Sequence, residues 1–238
     1  TIPAINNGGG TAAAANYTRT LSPKFEYKLD ALTVDGGFNY SRAINVGVEA
    51  CRTSHVLIIS SHVLLAGKDI IENAWRAMLS ERCDGFYACH HPQQAWSTQV
   101  ISSANFKGDN GLSNSCAMVQ VEQVMAHPFR PEVFSAEDQE WSAWLFSERQ
   151  GRLMRVESHA VKYENARVNY TKFLNEELAI AYFVDRRRLS WSAIGMWWLK
   201  ALWSCGRMDL ERARFRWTTA RELIKARRVQ PVKQSKYF

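Results

Sequence analysis

The sequence predicts an α/β fold with a Rossmann-like, mostly parallel sheet flanked by helices, followed by a helical extension. Short apolar segments alternate with amphipathic ones between residues 41 and 91, and after Asn169 the pattern is helical to the end. The length of 238 residues and the hydrophobic content of 46% suit one globular domain, with or without an extension.

The first half of the chain supplies the alternation. TIPAI reads as a strand end, NNGGGT as a loop and AAAANYTRTL as a helix-prone run. SRAINVGVEACR has apolar residues at helical spacing, with Ser41 as the expected N-cap. HVLIIS is typical of a buried strand, KDIIENAWRAMLSER of an amphipathic helix and GFYACH of a second strand.

Polar residues follow the strands of this half. In open α/β sheets, ligands bind beyond the carboxyl ends of the strands, so these residues are the first candidates for a site. They are Asn6 and Asn7, Ser60 to His62, and His90 and His91.

In the second half of the chain, a helix is predicted to begin in the segment SAEDQEWSAW, residues 135–144. Glu137, Asp138 and Glu140 precede a helical pattern that runs to residue 150, and GRLMRVESHAVKY predicts a strand after it. Acidic residues in a first turn are ordinary capping chemistry, so the pattern alone leaves helix capping and proton transfer both open.

The net charge of +7 belongs to the C-terminal end. Residues 207–238 carry ten Lys or Arg and three Asp or Glu, whereas residues 1–206 are neutral overall. A basic tail indicates an anionic partner such as a membrane surface or a nucleic acid, and the neutral main body argues against nucleic acid. Five of the nine tryptophans lie between Trp191 and Trp217. Such a segment is either packed on its own domain or lies at a membrane interface, and we expect packing with peripheral membrane contact over residues 190–228.

The five cysteines predict a reducing compartment. Their number is odd and their spacing irregular, which favours reduced thiols in a cytoplasmic protein. The membrane contact expected for residues 190–228 would bring such a protein to the inner face of the cytoplasmic membrane. No stretch reaches the ~20 apolar residues that span a bilayer.

Residues 38–65, FNYSRAINVGVEACRTSHVLIISSHVLL, resemble the bacterial family 2 glycosyltransferases, which have the A-type nucleotide-sugar fold. In that family an aromatic residue, Arg-x-x-Asn-x-Gly, a helix and a hydrophobic strand precede an Asp-x-Asp motif. Arg42, Asn45 and Gly47 match this pattern. The strand ends here in Ser60-Ser61-His62, which is similar to a rhamnosyltransferase-like branch that has Ser-Ala-His.

Residues 112–151 extend the resemblance. The family has a small polar stretch, an apolar helix, a Pro-Phe turn, Glu-Asp-x-x-Trp and a helix that ends in Gly. The matching residues are Asn114, Ser115, Pro128, Phe129, Glu137, Asp138, Trp141 and Gly151. The likeness covers roughly residues 5–172.

The resemblance implies an inverting glycosyltransferase that moves a hexosyl or deoxyhexosyl group. The donor would be a nucleotide sugar and the acceptor a hydroxyl of a cell-surface glycan or lipid-linked acceptor. Asp138 would be the general base, supported by Glu137. Donor contacts would come from Asn7, Arg42, Asn45 and Ser60, acceptor contacts from Asn114 and Trp141, and contact with a divalent cation, Mn²⁺ or Mg²⁺, from His62.

The chain also departs from the family pattern. Asn6 and Asn7 stand where the family has an acidic motif, and the late His-x-His-Asn-Tyr stretch keeps only its last part, residues 169–171. The first strand and helix of the family are expected to be missing. These departures leave a second hypothesis, a catalytically degenerate binding or scaffolding subunit. In either case we predict a catalytic domain over residues 1–184 and a basic, Trp-rich extension over residues 185–238.

Overall fold

The computed structural model describes residues 39–60, 63–89, 95–163 and 169–231. Its α-helices are α1 (Tyr40–Glu49), α2 (Ile70–Ser80), α3 (Val121–Ala126), α4 (Glu137–Glu148), α5 (Tyr170–Ala179), α6 (Trp191–Gly206) and α7 (Leu210–Ala226). Its strands are β1 (His55–Ile59), β2 (Val63–Leu65), β3 (Gly85–Tyr87), β4 (Gln99–Ile101), β5 (Cys116–Gln120), β6 (Leu153–Arg155) and β7 (Val161–Tyr163). A π-helical turn (Ile180–Val184) and a 3₁₀ turn (Arg186–Leu189) join α5 to α6.

The main sheet has the strand order β1-β5-β3-β6-β4 among the described residues. Strands β3 and β6 are parallel, and β5 is antiparallel to both of its neighbours, β1 and β3. Strands β1, β3 and β6 therefore point in the same direction, with their carboxyl ends at one edge. Strand β4 runs antiparallel to β6 at the far side, and β2 and β7 form a separate antiparallel pair.

Helices cover both faces of this sheet. One core cluster joins the sheet to α1, α3 and α4, and the other joins it to α2. Side chains alternate between the two, so that Tyr87 lies in the first cluster and its neighbour Phe86 in the second. This mixed α/β architecture confirms the predicted fold class. The sheet was expected to be mostly parallel, but among the described strands β3 and β6 form the one parallel pair, because β5 and β4 run against their neighbours.

Strand β5 corrects one expectation. The resemblance implied an apolar helix after Asn114, but residues Cys116–Gln120 form a strand and only Val121–Ala126 are helical. The residues of β5 contribute to both clusters: Ala117 and Val119 face the first cluster, and Cys116 and the partly buried Met118 face the second. A short apolar run that is buried on both faces has no periodicity by which a strand differs from a helix.

A second correction concerns the start of α1. The N-cap is Asn39, whose Oδ1 accepts a hydrogen bond from the Arg42 N–H at 3.0 Å. Ser41, the expected cap, lies two residues later, is buried and donates from its hydroxyl to the Arg130 carbonyl at 3.2 Å. The predicted positions of β1, α2, β3 and α4 are confirmed.

The C-terminal helices pack on the rest of the chain. A third cluster combines Leu178 of α5, Ile194 of α6 and Leu223 of α7 with Phe134 and Ala136, which directly precede α4. The prediction that the chain is helical after Asn169 is confirmed through α7, while the domain boundary at residue 184 stays a prediction. None of the helices in the described part of the chain is long and apolar enough to cross a membrane.

Candidate active site

Three parts of the fold bring polar groups together at the carboxyl edge of the sheet. Ser60 directly follows β1, Asn114 lies in the loop before β5, and Glu137 and Asp138 begin α4. The Ser60 hydroxyl donates to the Asn114 carbonyl at 3.1 Å, and the Ser60 N–H donates to the Ser115 carbonyl at 2.9 Å. The site thus lies where α/β sheets generally bind ligands.

Asn114 connects the two carboxylates to this edge. Its backbone N–H donates to Asp138 Oδ2 at 3.3 Å, and its Nδ2 donates to Glu137 Oε1 at 3.2 Å. Its carbonyl accepts from Ser60 and, at 3.4 Å, from the Tyr40 hydroxyl. Asn114 is buried, and its Oδ1 has no hydrogen-bond partner among the described residues. We conclude that Asn114 orients the carboxylates from within the protein.

The start of α4 directs both carboxylates into the molecule. The N-cap is Ala136, whose φ of 59° lies in the left-handed region that residues with a Cβ rarely adopt. Its carbonyl accepts hydrogen bonds from the N–H groups of Gln139 and Glu140. The helix therefore begins with a sharp change of chain direction. Such local strain is characteristic of functional sites.

Glu137 and Asp138 have different surroundings. Glu137 is only 4% exposed, whereas Asp138 is half-buried. Burial raises the pKa of both carboxyls, and the charge of Asp138 raises the pKa of Glu137 further. Backbone N–H groups of Asn114 and Gln139 donate to Asp138 and oppose the increase of its pKa. The pair thus consists of an enclosed carboxyl, Glu137, and a more exposed one, Asp138, that accepts hydrogen bonds from two backbone N–H groups.

The loop that carries Asn114 is fastened to α4. Gln139 Nε2 donates to the Leu112 carbonyl at 2.7 Å, and its Oε1 accepts from the Gly111 N–H at 2.8 Å. The Ser142 hydroxyl accepts from the Leu112 N–H and donates to the Asp138 carbonyl, both at 2.7 Å. These bonds fix the distance between Asn114 and the two carboxylates.

The third acidic residue of the segment has a different role. Glu140 is buried and binds Arg130 Nη1 at 3.1 Å and His127 Nε2 at 3.3 Å. The His127 ring stacks on Trp144 with a centroid distance of 4.6 Å. Glu140 therefore anchors the 127–130 segment to α4 and is not part of the polar cluster.

Several members of the site were not predicted. Tyr40 at the start of α1 donates from its hydroxyl to the Asn114 carbonyl at 3.4 Å, and its pKa is raised by burial and, to a smaller degree, by the charges of Glu137 and Asp138. On α5, Lys172 lowers the pKa of Asp138 through its charge, and Lys172 Nζ lies 3.7 Å from Glu176 Oε1. Burial, and to a smaller degree the charge of Asp138, raises the pKa of Glu176. An i, i+4 spacing such as that of Lys172 and Glu176 is typical of a helical ion pair, but it does not indicate an influence on Asp138.

Other predicted residues lie elsewhere. Asn45 forms two hydrogen bonds with the backbone of Phe129, at 2.8 Å and 3.0 Å, so it joins α1 to the Pro-Phe turn. Trp141 is fully buried against Phe129 and has no surface through which it could contact an acceptor. Arg42 lies on the exposed side of α1. Asn7 and His62 are outside the described residues.

A cation site is not formed by the described part of the chain alone. Within it, no three His, Cys, Asp or Glu side chains are grouped so that they could hold a metal ion. The described residues therefore do not fit a cation by themselves, and we derive no chemical step from one. His62, His90 and His91 lie in the segments that are not described.

No protein-family model and no curated protein sequence matches the chain. Solved structures do. A mannosyltransferase, PcManGT from Pyrobaculum calidifontis in complex with GDP-Man and Mn²⁺, aligns with a TM-score of 0.57 and 13% identity. The alignment covers 93% of this chain and 77% of that protein. Residues 1–349 of TarS from S. aureus align with a TM-score of 0.51 and 12% identity over 92% of this chain and 81% of that one. The chain thus has a glycosyltransferase fold, and at these identities the likeness concerns the fold alone.

Proposed function

We propose that the chain is an inverting glycosyltransferase that moves a hexosyl or deoxyhexosyl group from a nucleotide sugar to an acceptor hydroxyl. The acceptor would be a cell-surface glycan or a lipid-linked saccharide. One observation carries the proposal: Asp138 is a half-buried carboxyl group, fixed by backbone N–H groups at the carboxyl edge of the sheet. The glycosyltransferase fold and the binding of GDP-Man by one structural neighbour support the donor class.

In this proposal Asp138 is the general base. The acceptor oxygen attacks the anomeric carbon while its proton passes to Asp138, and the bond from that carbon to the nucleoside diphosphate breaks on the opposite face. The configuration at the anomeric carbon is therefore inverted. Positioned proton transfer of this kind contributes roughly 10²–10⁴-fold in rate. The proposal requires that Glu137, whose pKa burial raises to about 8, holds the proton at neutral pH and that Asp138 is ionised.

The donor side is proposed to lie at the end of β1. Ser60 is the described residue there, and His62 follows it. A divalent cation near His62 remains part of the proposal, because the departing diphosphate carries negative charge that a cation can neutralise. Mn²⁺ in the structure of the mannosyltransferase neighbour supports this choice of ion.

The test is transfer or hydrolysis of a panel of nucleotide sugars, with and without Mn²⁺ or Mg²⁺, by the wild type and by Asp138→Asn. We expect one donor class to be turned over and the variant to lose roughly 10²–10⁴-fold in kcat. Because Asn keeps the shape of the side chain, the donor should still raise the melting temperature of the variant. Asp69→Asn, at an exposed position before α2, is the matched control and should leave activity unchanged.

The second candidate function is a non-catalytic binding subunit of the same fold. It is favoured by Ser60 and His62 in place of an acidic motif. It predicts that a nucleotide sugar stabilises the protein, by about 2.7 kcal/mol at a hundredfold excess over Kd, without turnover. Turnover that Asp138→Asn does not reduce would contradict the proposed base.

A further inference from the structure

Helix α6 has apolar residues on two sides. Ile194 and Ala201 are buried on the side that packs against the third cluster. On the other side Trp191, Met196, Leu199, Leu202 and Trp203 are each between 51% and 67% exposed. At 100° per residue these five side chains fall within an arc of about 140°. We call this arc the outer face of α6.

The outer face differs from the single exposed apolar residues that are common on protein surfaces, because it groups several large side chains on one side of a helix. Five large side chains, two of them tryptophans, are adjacent on one helix. The apolar surface continues onto α7, since Trp217 is half exposed and packs edge-to-face on Trp198 with a centroid distance of 4.0 Å. Contiguous apolar patches on a folded chain mark a surface that contacts another apolar phase or partner.

Positive charge borders the outer face. The guanidinium of Arg227 lies 4.5 Å from the centroid of the Trp191 ring, and Lys200 Nζ lies 5.2 Å from that of Trp197. Arg207 is exposed directly after the last residue of α6. On α7, Arg214 and Arg221 are exposed, and their separation of seven residues places them on the same side of the helix, about two turns apart. An apolar arc with cations at its rim complements a surface that is apolar inside and anionic at its boundary.

We propose that the outer face of α6 docks on an anionic lipid bilayer. Its tryptophans, leucines and methionine would enter the boundary between headgroups and acyl chains, and the bordering arginines and Lys200 would contact the phosphates. A second copy of the chain fits less well, because it would bring two basic 207–238 segments together. The proposal is independent of catalysis, but it would hold a transferase beside a lipid-linked acceptor.

The experiment is co-sedimentation of the full chain with vesicles of phosphatidylcholine alone or mixed with phosphatidylglycerol. We expect binding to the mixed vesicles, much weaker binding to phosphatidylcholine, and weakening by salt. Leu199→Ser combined with Trp203→Ser should lower the partition coefficient at least about tenfold. The matched control is Leu79→Ser with Met125→Ser, two residues that are each 54% exposed elsewhere, and it should bind like the wild type.

Three results would overturn the proposal: no preference for phosphatidylglycerol, full binding by the outer-face variant, or a dimer in solution that this variant dissociates. Circular dichroism checks that the variants are folded. If the outer-face variant does not fold, Arg214→Glu with Arg221→Glu tests the electrostatic part, and unchanged binding to mixed vesicles contradicts it. Asp138→Asn should bind vesicles like the wild type, so failure of docking and failure of the transferase proposal are distinguishable.

Discussion

At the scale of single residues, Glu137 and Asp138 show how neighbours in sequence can differ in chemistry. Glu137 is enclosed and accepts from the Asn114 amide, while Asp138 is half-buried and accepts from two backbone N–H groups. The two donors to Asp138 oppose the increase of its pKa that burial causes. Its partial exposure also leaves it accessible to a hydroxyl, which Glu137 is not.

Glu137 should make the stability of the protein depend on pH. Burial raises the pKa of Glu137 to about 8 in the folded protein. The neutral side chain therefore contributes its full stability below the ordinary pKa of Glu, and this contribution is lost as the pH rises through the folded-state pKa. Glu137→Gln cannot ionise and keeps an oxygen for the Asn114 amide. We expect its advantage in unfolding free energy to grow between about pH 5 and pH 8, by at most about 1.4 kcal/mol per pH unit.

Chemical denaturation at several pH values measures this difference. Glu148→Gln is the control, because Glu148 is exposed at the other end of the same helix. Its stability curve should run parallel to that of the wild type. Parallel curves for Glu137→Gln as well would show that Glu137 titrates normally.

At the scale of elements, the contact between the 111–114 loop and α4 determines the geometry of the site. A Cβ on Gly111 would lie 2.5 Å from Cβ and Oγ of Ser142, closer than real Cβ atoms approach other atoms. The loop and the helix can form their hydrogen bonds only with glycine at this position. The sequence showed no reason for this glycine, because the contact joins residues 31 positions apart.

Gly111→Ala should therefore separate the loop from α4. We expect a loss of about 1–3 kcal/mol in the free energy of unfolding, and a loss of transfer activity because Asn114 moves with the loop. Gly195→Ala on α6 is the matched control, since nothing lies within 4 Å of its added Cβ. The free energy of unfolding of that variant should increase by up to about 1 kcal/mol, because Ala has a higher helix propensity than Gly. Wild-type stability and activity in Gly111→Ala would contradict the role of the contact.

At the scale of the whole molecule, the third cluster connects the C-terminal helices to the site. Phe134 and Ala136 lead into α4, and they share this cluster with Leu178, Ile194 and Leu223. Loss of a buried side chain of α7 should therefore disturb the packing at the start of α4. On this basis we expect the 1–184 and 185–238 regions to unfold together.

Leu223→Ala tests this coupling. The side chain is fully buried, so its truncation should cost about 2–5 kcal/mol and shift one cooperative unfolding transition. Leu210→Ala on the same helix is the control: Leu210 is 67% exposed, and its loss should change stability by less than about 0.5 kcal/mol. Two separate transitions, of which the variant moves only one, would show two independent domains.

The sequence by itself determined the features that depend on local pattern. Periodicity located α2, α4, β1 and β3, and the apolar and basic composition marked the C-terminal helices. The resemblance directed attention to Glu137, Asp138, Asn114 and Ser60, which the fold does bring together. The catalytic roles, the cation and the membrane contact stay predictions, because each depends on a ligand or partner.

Only the tertiary structure decided which polar groups meet. Tyr40, Asn114 and Asp138 are separated by 74 and 24 residues, and they become neighbours through the docking of α1, the loop before β5 and α4 on one sheet edge. The same packing enclosed Trp141 and turned Asn45 toward Phe129. Burial and hydrogen bonding across such distances depend on how elements pack, whereas residue patterns report only the neighbours within one helix or strand.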